Sequence, residues 1–326
     1  MTDNSISVVT VCRNRQSHIL KSCCHTSRLP YHCEHIVLDL GSSPAICSSD
    51  LPPDHRIKLF HVPYQGPWWL SHSFNLAMAL ASSNLLVHCD ADCLLTPAFF
   101  EQMLEDAKSV KFSVSRLTPV DLKLTNDKSY PSSGIYWVQR DAYWRVNGLN
   151  PYLQGWGYEE LDLFSRLFRA GFAVCRVPKN GLQNFIHSDH MRVDANGSEM
   201  LAALRYKTSH AIKRACQHKN MRISTLMIER GMTSWPSKSD YKEAFEKFSA
   251  LPDLPAISLL TPSELKGLQR YLFRVWLSAS INPDFLGRLL AFVLTPMLPQ
   301  RWLEWLLVQL GIFVNQNLLD APQLKT

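Results

Sequence analysis

Short apolar runs alternate with helix-like stretches through the first 190 residues, and this alternation does most to restrict how the chain folds. Ile6 to Cys12 (ISVVTVC) is a β-branched run that reads as a buried strand. A helical stretch from Ser17 to Arg28 stops before Pro30, and His35 to Leu40 (HIVLDL) is a second strand closed by Gly41-Ser42-Ser43. Ile57 to Val62 is a third strand, Leu70 to Ala81 has helical periodicity, and Leu85 to Cys89 (LLVHC) is a central strand that runs into Asp90. Pro97 to Ala107 reads as a helix with proline near its start, and Gly134 to Val138 as another strand. Such an order predicts an α/β fold with a mostly parallel sheet flanked by helices. Ligands of such sheets bind beyond the carboxyl ends of the strands. Three polar clusters stand there: Arg13-Asn14-Arg15, Asp39, and Asp90-Ala91-Asp92.

After about residue 200 the chain becomes helical and rich in Leu, Trp and Arg, so a boundary is expected between residues 1–200 and a helical extension, 201–326. The charge divides at the same place. Residues 1–200 hold 18 Lys/Arg against 19 Asp/Glu, whereas residues 201–326 hold 16 against 9. A basic appendage on a nearly neutral body suits an anionic surface, and nothing in it reads as a nucleic-acid motif. Leu265, Leu268, Leu272, Val275 and Ala279 share one helical face, with Lys266, Arg270 and Arg274 on another. The apolar stretch LLAFVLTPML is bracketed too tightly, by Arg288 and by Pro299-Gln300-Arg301, to reach the ~20 residues of a span. Met1 to Ser7 is polar and leads straight into the first strand, so the expected location is cytoplasmic, peripheral on the inner face of the membrane, with reduced thiols. Cys23, Cys24, His25 and Cys33 fit no zinc spacing, which favours incidental or buried cysteines.

Three segments carry candidate chemistry. HCDADCLL sets two carboxylates at i and i+2 after a strand, on one side of an extended backbone, where both face a single cation. Aspartates are also frequent turn formers, so this pattern alone is weak. FIHSDH offers His187, which is either a structural or exposed histidine, as lone histidines more often are, or a third or outer ligand for a site the aspartates leave incomplete. GWGYEELDLFSRLFRAG opens a helix whose apolar face is Leu163, Phe164, Leu167 and Phe168, ended by Gly171. Glu159, Glu160 and Asp162 occupy its first turn, where the helix dipole favours each acid by ~0.3–1 kcal/mol. Asp162 and Arg166 stand at i,i+4 and are spaced to pair. The dipole does not account for Trp156 between two glycines: a flat indole stacks on a sugar ring, and a neighbouring carboxylate takes a hydroxyl proton.

CRNR, HCDAD and GIYWVQRDAYWRVNGLNPYLQGWGYEELDLFSRLFRAGF…FIH together resemble the inverting GT-A glycosyltransferases, most of all the β-1,4-galactosyltransferase and chondroitin-polymerase type. The likeness covers roughly residues 5–195 and leaves the C-terminal extension untouched. It implies a GT-A fold and a metal-dependent transfer of a hexose or N-acetylhexosamine from a UDP-sugar to a glycan or lipid-linked acceptor, as in polysaccharide biosynthesis. Arg13 and Arg15 would then contact the diphosphate, Asp39 the base or ribose, and Asp90 the ribose and metal. Asp92 and His187 would ligate Mn2+ or Mg2+, Trp156 would line the sugar site, Glu159 would hold hydroxyls and Glu160 would be the base. The family usually has aspartate at the position of Glu160 and glycine at that of Tyr158, and a tyrosine there narrows the pocket. Two other readings compete: a phosphatase of the haloacid dehalogenase type using the D-x-D, and an inactive sugar-binding module.

Overall fold

In a computed structural model of the protein, the residues described are 5–66, 68–114, 134–155, 157–178, 180–184, 209–232, 234–255, 257, 259–281, 291–310 and 312. The boundary expected near residue 200 lies outside them, as do Trp156 and His187.

The apolar runs pair as a seven-stranded sheet in the order β3-β2-β1-β4-β7-β6-β8. Its strands are β1 (Ile6–Cys12), β2 (Glu34–Leu40), β3 (Ile57–Val62), β4 (Leu85–His88), β6 (Phe112–Val114), β7 (Tyr136–Gln139) and β8 (Val174–Arg176). β1, β2, β3 and β4 run parallel, while β7 lies antiparallel to both β4 and β6. β1 and β2 are buried at every position, so they are mostly apolar rather than alternating, with Ser7, Thr10, Glu34, His35 and Asp39 as buried polar members. A two-stranded ribbon, β5 (Cys93–Leu95) with β9 (Leu182–Asn184), stands apart from the sheet.

From β1 the chain builds outward through β2 and β3, then returns to β1's other edge as β4. That reversal of strand order is a topological switch point, the place where such sheets open a binding crevice. The loops after β1 and β4, which carry Arg13-Asn14-Arg15 and Asp90-Ala91-Asp92, both leave from it.

Helices α1 (Gln16–Thr26), α2 (Leu70–Leu80), α3 (Pro97–Asp106), α4 (Arg140–Arg145) and α5 (Glu159–Arg169) fall close to the expected stretches, apart from the short α4. The C-terminal helices are α6 (Ser209–Glu229), α7 (Lys238–Phe248), α8 (Pro262–Ile281) and α9 (Gln300–Gln309). Their buried residues share one hydrophobic core with the sheet: Cys216, Ile223, Tyr241, Leu272 and Leu303 cluster with Val9, Leu38, Phe74 and Leu163. Tyr241 docks α7 on α2, its hydroxyl 2.7 Å from His72 Nδ1 and accepting from Asn75 Nδ2 at 3.0 Å. α8 buries Leu265, Leu268 and Leu272, as its periodicity predicts. Its basic face is tied down more than the sequence suggests. Arg274 lies over the Phe292 ring and Arg270 Nε donates to Gln300, which leaves Lys266 the fully exposed member of the three. All nine cysteines are free.

Candidate active site

Asn14 laces the loops after β1 and β2 together. Its N–H donates to Ser42 Oγ (2.8 Å) and its Oδ1 accepts from the Ser43 N–H (2.8 Å), with Asn14 itself at a positive φ of 54°. Arg13 and Arg15 flank it, both half-buried; Arg13 Nη1 donates to the Gly66 carbonyl and the guanidinium lies 5.9 Å from the centre of the Tyr64 ring. Asp39 is fully buried, and its oxygens accept from the Ser42 and Ile46 N–H groups at 3.1 and 3.0 Å, with His61 Nδ1 3.2 Å away. Asp39 therefore shapes the loop after β2 from beneath, while His61 above it is 40% exposed.

The antiparallel register of β4 and β7 pairs His88 with Tyr136, so two residues further on Gly134 comes level with Asp90. A Cβ built on Gly134 would lie 2.6 Å from Glu160 Oε1 and 3.4 Å from Asp90 Oδ2. Glycine at 134 thus leaves room for two carboxylates from different elements, one at the end of β4 and one in the first turn of α5, to face a common space. Asp90, Asp92 and Cys93 bring ligand atoms within 4.8 Å of one another. Burial pushes the Asp90 carboxyl up to about 7, and the charges of Asp92 and Glu160 add to the shift. Three crowded acids repel one another, and a hard divalent cation relieves that repulsion. The buried Cys93 thiol is held well above its usual pKa, chiefly by burial, and its Sγ lies 3.7 Å from Asp92 Oδ1 as a donor. The two carboxylates are hard oxygen donors, which suit Mn2+ or Mg2+ better than a thiophilic metal. β9 ends at Asn184, paired with Cys93, three residues before His187.

The three acids of the α5 first turn separate sharply. Glu159 is 1% exposed and its Oε1 accepts from the Gly157 N–H at 2.9 Å. Burial pushes it up to about 8, the neighbouring Glu160 adding to the effect. Asp162 is also buried, bridged to Arg166 at 2.7 Å and accepting from Ser224 Oγ at 2.6 Å, so the i,i+4 pairing is present. Glu160 is half-buried, the least enclosed of the three.

Sequence reasoning missed what holds this turn in place. Gly155, Gly157 and Tyr158 take φ of 86°, 93° and 82°, a left-handed path that needs external support. α6 supplies it from a segment with no motif. Lys219 Nζ donates to the Gln154 carbonyl (2.6 Å), Asn220 Nδ2 to the Gly157 carbonyl (2.8 Å), and the Gln217 side chain fills the space over the Gly157 Cα. Lys219 is 1% exposed, its pKa lowered by burial and partly restored by Cys216 and Glu159. Nothing in QHKNM marks that lysine as internal; the Gln154 carbonyl it meets helps to make its burial tolerable.

Tyr158 holds its left-handed conformation without glycine's freedom, at a cost of ~1–2 kcal/mol. Tyr158→Gly is expected to raise the melting temperature slightly, because the relieved strain exceeds the added entropy of the unfolded chain. A fall of several degrees in a thermal melt would show instead that packing of the half-buried ring outweighs the strain.

The family described as the N-terminal domain of galactosyltransferase matches residues 117–191, a segment that contains Gly134, Glu159 and Glu160. Human chondroitin sulfate synthase 3 is 22% identical over 192 residues, covering 52% of this chain and 21% of that protein. Its mouse counterpart is 22% identical over 194 residues, with the same coverage. The chain thus spans about a fifth of the length of the curated relatives it matches. Among solved structures, the catalytic domain of Drosophila β-1,4-galactosyltransferase 7 in complex with xylobiose aligns at 18% identity and a TM-score of 0.42, covering 60% of this chain and 75% of that one. The mannosyltransferase PcManGT from Pyrobaculum calidifontis, in complex with GDP-Man and Mn2+, aligns at 14% identity and a TM-score of 0.45, covering 94% and 84%.

The chain thus combines a mixed, mostly parallel sheet and an acidic cluster at the switch point with a segment, residues 117–191, that is similar to the galactosyltransferase domain family. The likeness to the chondroitin sulfate synthases extends over about half of this chain, at 22% identity.

Proposed function

We propose that the protein is an inverting transferase that moves a hexose or N-acetylhexosamine from a UDP-sugar to a hydroxyl of a glycan or lipid-linked acceptor. The reading rests on one juxtaposition: Glu160, half-buried, shares the space over Gly134 with Asp90. Glu160 takes the proton of the acceptor hydroxyl. The freed oxygen bonds to the anomeric carbon, the bond from that carbon to the diphosphate breaks, and UDP departs with the electron pair. Asp90 and Asp92, with His187, are the proposed holders of Mn2+ or Mg2+, which when bound supplies positive charge against the departing diphosphate. Arg13 and Arg15, at the other loop of the switch point, approach the same phosphates. Glu159 acts at one remove, bracing the turn that aims Glu160 through its bond to Gly157. Trp156 is the proposed stacking surface for a sugar. The enzyme is placed at the cytoplasmic face of a membrane, where an acceptor on a lipid carrier would be presented.

A phosphatase using Asp90 as nucleophile gives no role to the Gly134–Glu160 contact or to the match over 117–191. A panel of UDP-sugars incubated with enzyme and Mn2+, without acceptor, separates the readings. UDP release from one donor, abolished by chelation, is the expected result. Phosphate release from a simple monoester would establish the phosphatase instead, and neither product would leave a sugar-binding module.

A further inference from the structure

Among the described residues, seven of the twelve large hydrophobic side chains that stand exposed fall between Phe292 and Val308. α9 carries much of this surface. Leu303, Leu307 and Leu310 turn into the core at 0–1% exposure, while Trp302, Trp305 and Val308 on the other side are 56%, 49% and 45% exposed. The two indoles stand edge to face with ring centres 6.1 Å apart, and Met297, at 73%, and Phe292, at 62%, are exposed just before them in the chain. A helix apolar on both faces normally has both faces covered, and here the protein covers one.

The charges around this face indicate what covers the other. Arg301 is exposed beside Trp302, Arg274 lies 5.3 Å over the Phe292 ring, and Lys266 projects from α8. The exposed acid of α9, Glu304, accepts a hydrogen bond from Gln300 Nε2 at 3.1 Å. Residues 201–326 as a whole carry the chain's entire positive surplus. Tryptophans and other apolar side chains rimmed by arginine and lysine match a bilayer interface: the apolar parts enter at headgroup depth and the cations meet anionic lipid. No helix among the described residues is long and apolar enough to cross a membrane, so the contact is one of lying on the surface.

We infer that the face formed by Phe292, Met297, Trp302, Trp305 and Val308 docks the enzyme on an anionic bilayer surface. The inference deepens the reading of a membrane-presented acceptor and depends on it for its purpose, but its test requires no turnover. The full-length protein is sedimented with vesicles of phosphatidylcholine alone and with vesicles containing phosphatidylglycerol, each at low and high salt. Binding is expected to the anionic vesicles, weakened by salt, and to fall roughly tenfold or more in the double variant Trp302→Ala/Trp305→Ala. Both indoles are half out in solvent, so the double variant keeps its thermal melt and any UDP-sugar hydrolysis, which separates lost docking from lost folding. Failure of the wild type to sediment, equal binding to both vesicle types, or full binding by the double variant overturns the inference. Concentration-dependent self-association without vesicle binding also overturns it and assigns the face to a second copy of the chain. If hydrolysis is present and docking absent, the transferase reading stands without this one.

Discussion

Glu160→Gln should lower turnover by at least about 100-fold while leaving UDP affinity unchanged, because the amide keeps the shape and loses the basicity. The structure gives this expectation a sharper control than residue spacing does. Glu159 is adjacent in sequence, yet its carboxylate is buried and bound to the Gly157 N–H, whereas that of Glu160 stands with Asp90 over Gly134. Glu159→Gln replaces an acid that burial keeps largely protonated near neutral pH and still leaves an acceptor oxygen for the Gly157 amide. Its expected signature is a smaller loss of turnover than that of Glu160→Gln, with the melting temperature little changed. Single-turnover rates and UDP titrations on both variants distinguish the two residues. A dead Glu159→Gln beside an active Glu160→Gln would shift the assignment of the base by one residue.

The strands that frame this site were legible because buried parallel strands are mostly apolar and lack an alternating polar face. ISVVTVC and HIVLDL could form little else, and the polar residues that end them mark the crevice. The order of strands was not legible. β5, β6, β8 and β9 are three residues each, too short to display a period, yet β5 and β9 bring the chain before His187 to the D-x-D. The first turn of α5 was legible as acidic and unreadable as to role: spacing identifies the Asp162–Arg166 pair, while the burial of Glu159 beside a half-buried Glu160 has no local signal, nor has the support that α6 gives the turn. That helix buries Lys219 against a carbonyl more than sixty residues earlier in the chain, and no local pattern encodes such a meeting. Phe168 shows the converse limit. Periodicity places it on the apolar face, but it lies at that face's edge, 41% exposed with its ring 5.7 Å from that of Phe112.

Mn2+-dependent binding of UDP should vanish in Asp92→Ala, with a loss of roughly 100-fold or more by calorimetry. Asp90 and Asp92 stand two residues apart at the end of β4, both half-buried and with ligand atoms within 4.8 Å of each other and of the Cys93 thiol. With Asp92 removed, Asp90 alone offers too few oxygens to hold a hard cation against its hydration shell. Metal-free UDP binding, attributed to Arg13 and Arg15, should persist in the variant, so folding and diphosphate recognition are read in the same titration. His187→Ala should weaken the Mn2+-dependent component as well. Cys93→Ser should leave it largely intact, because a hard cation such as Mn2+ prefers carboxylate oxygens to sulfur. Unchanged binding in Asp92→Ala would remove the carboxylate pair from any metal role. Loss confined to Cys93→Ser would point to a sulfur-ligated ion and a different chemistry at the switch point.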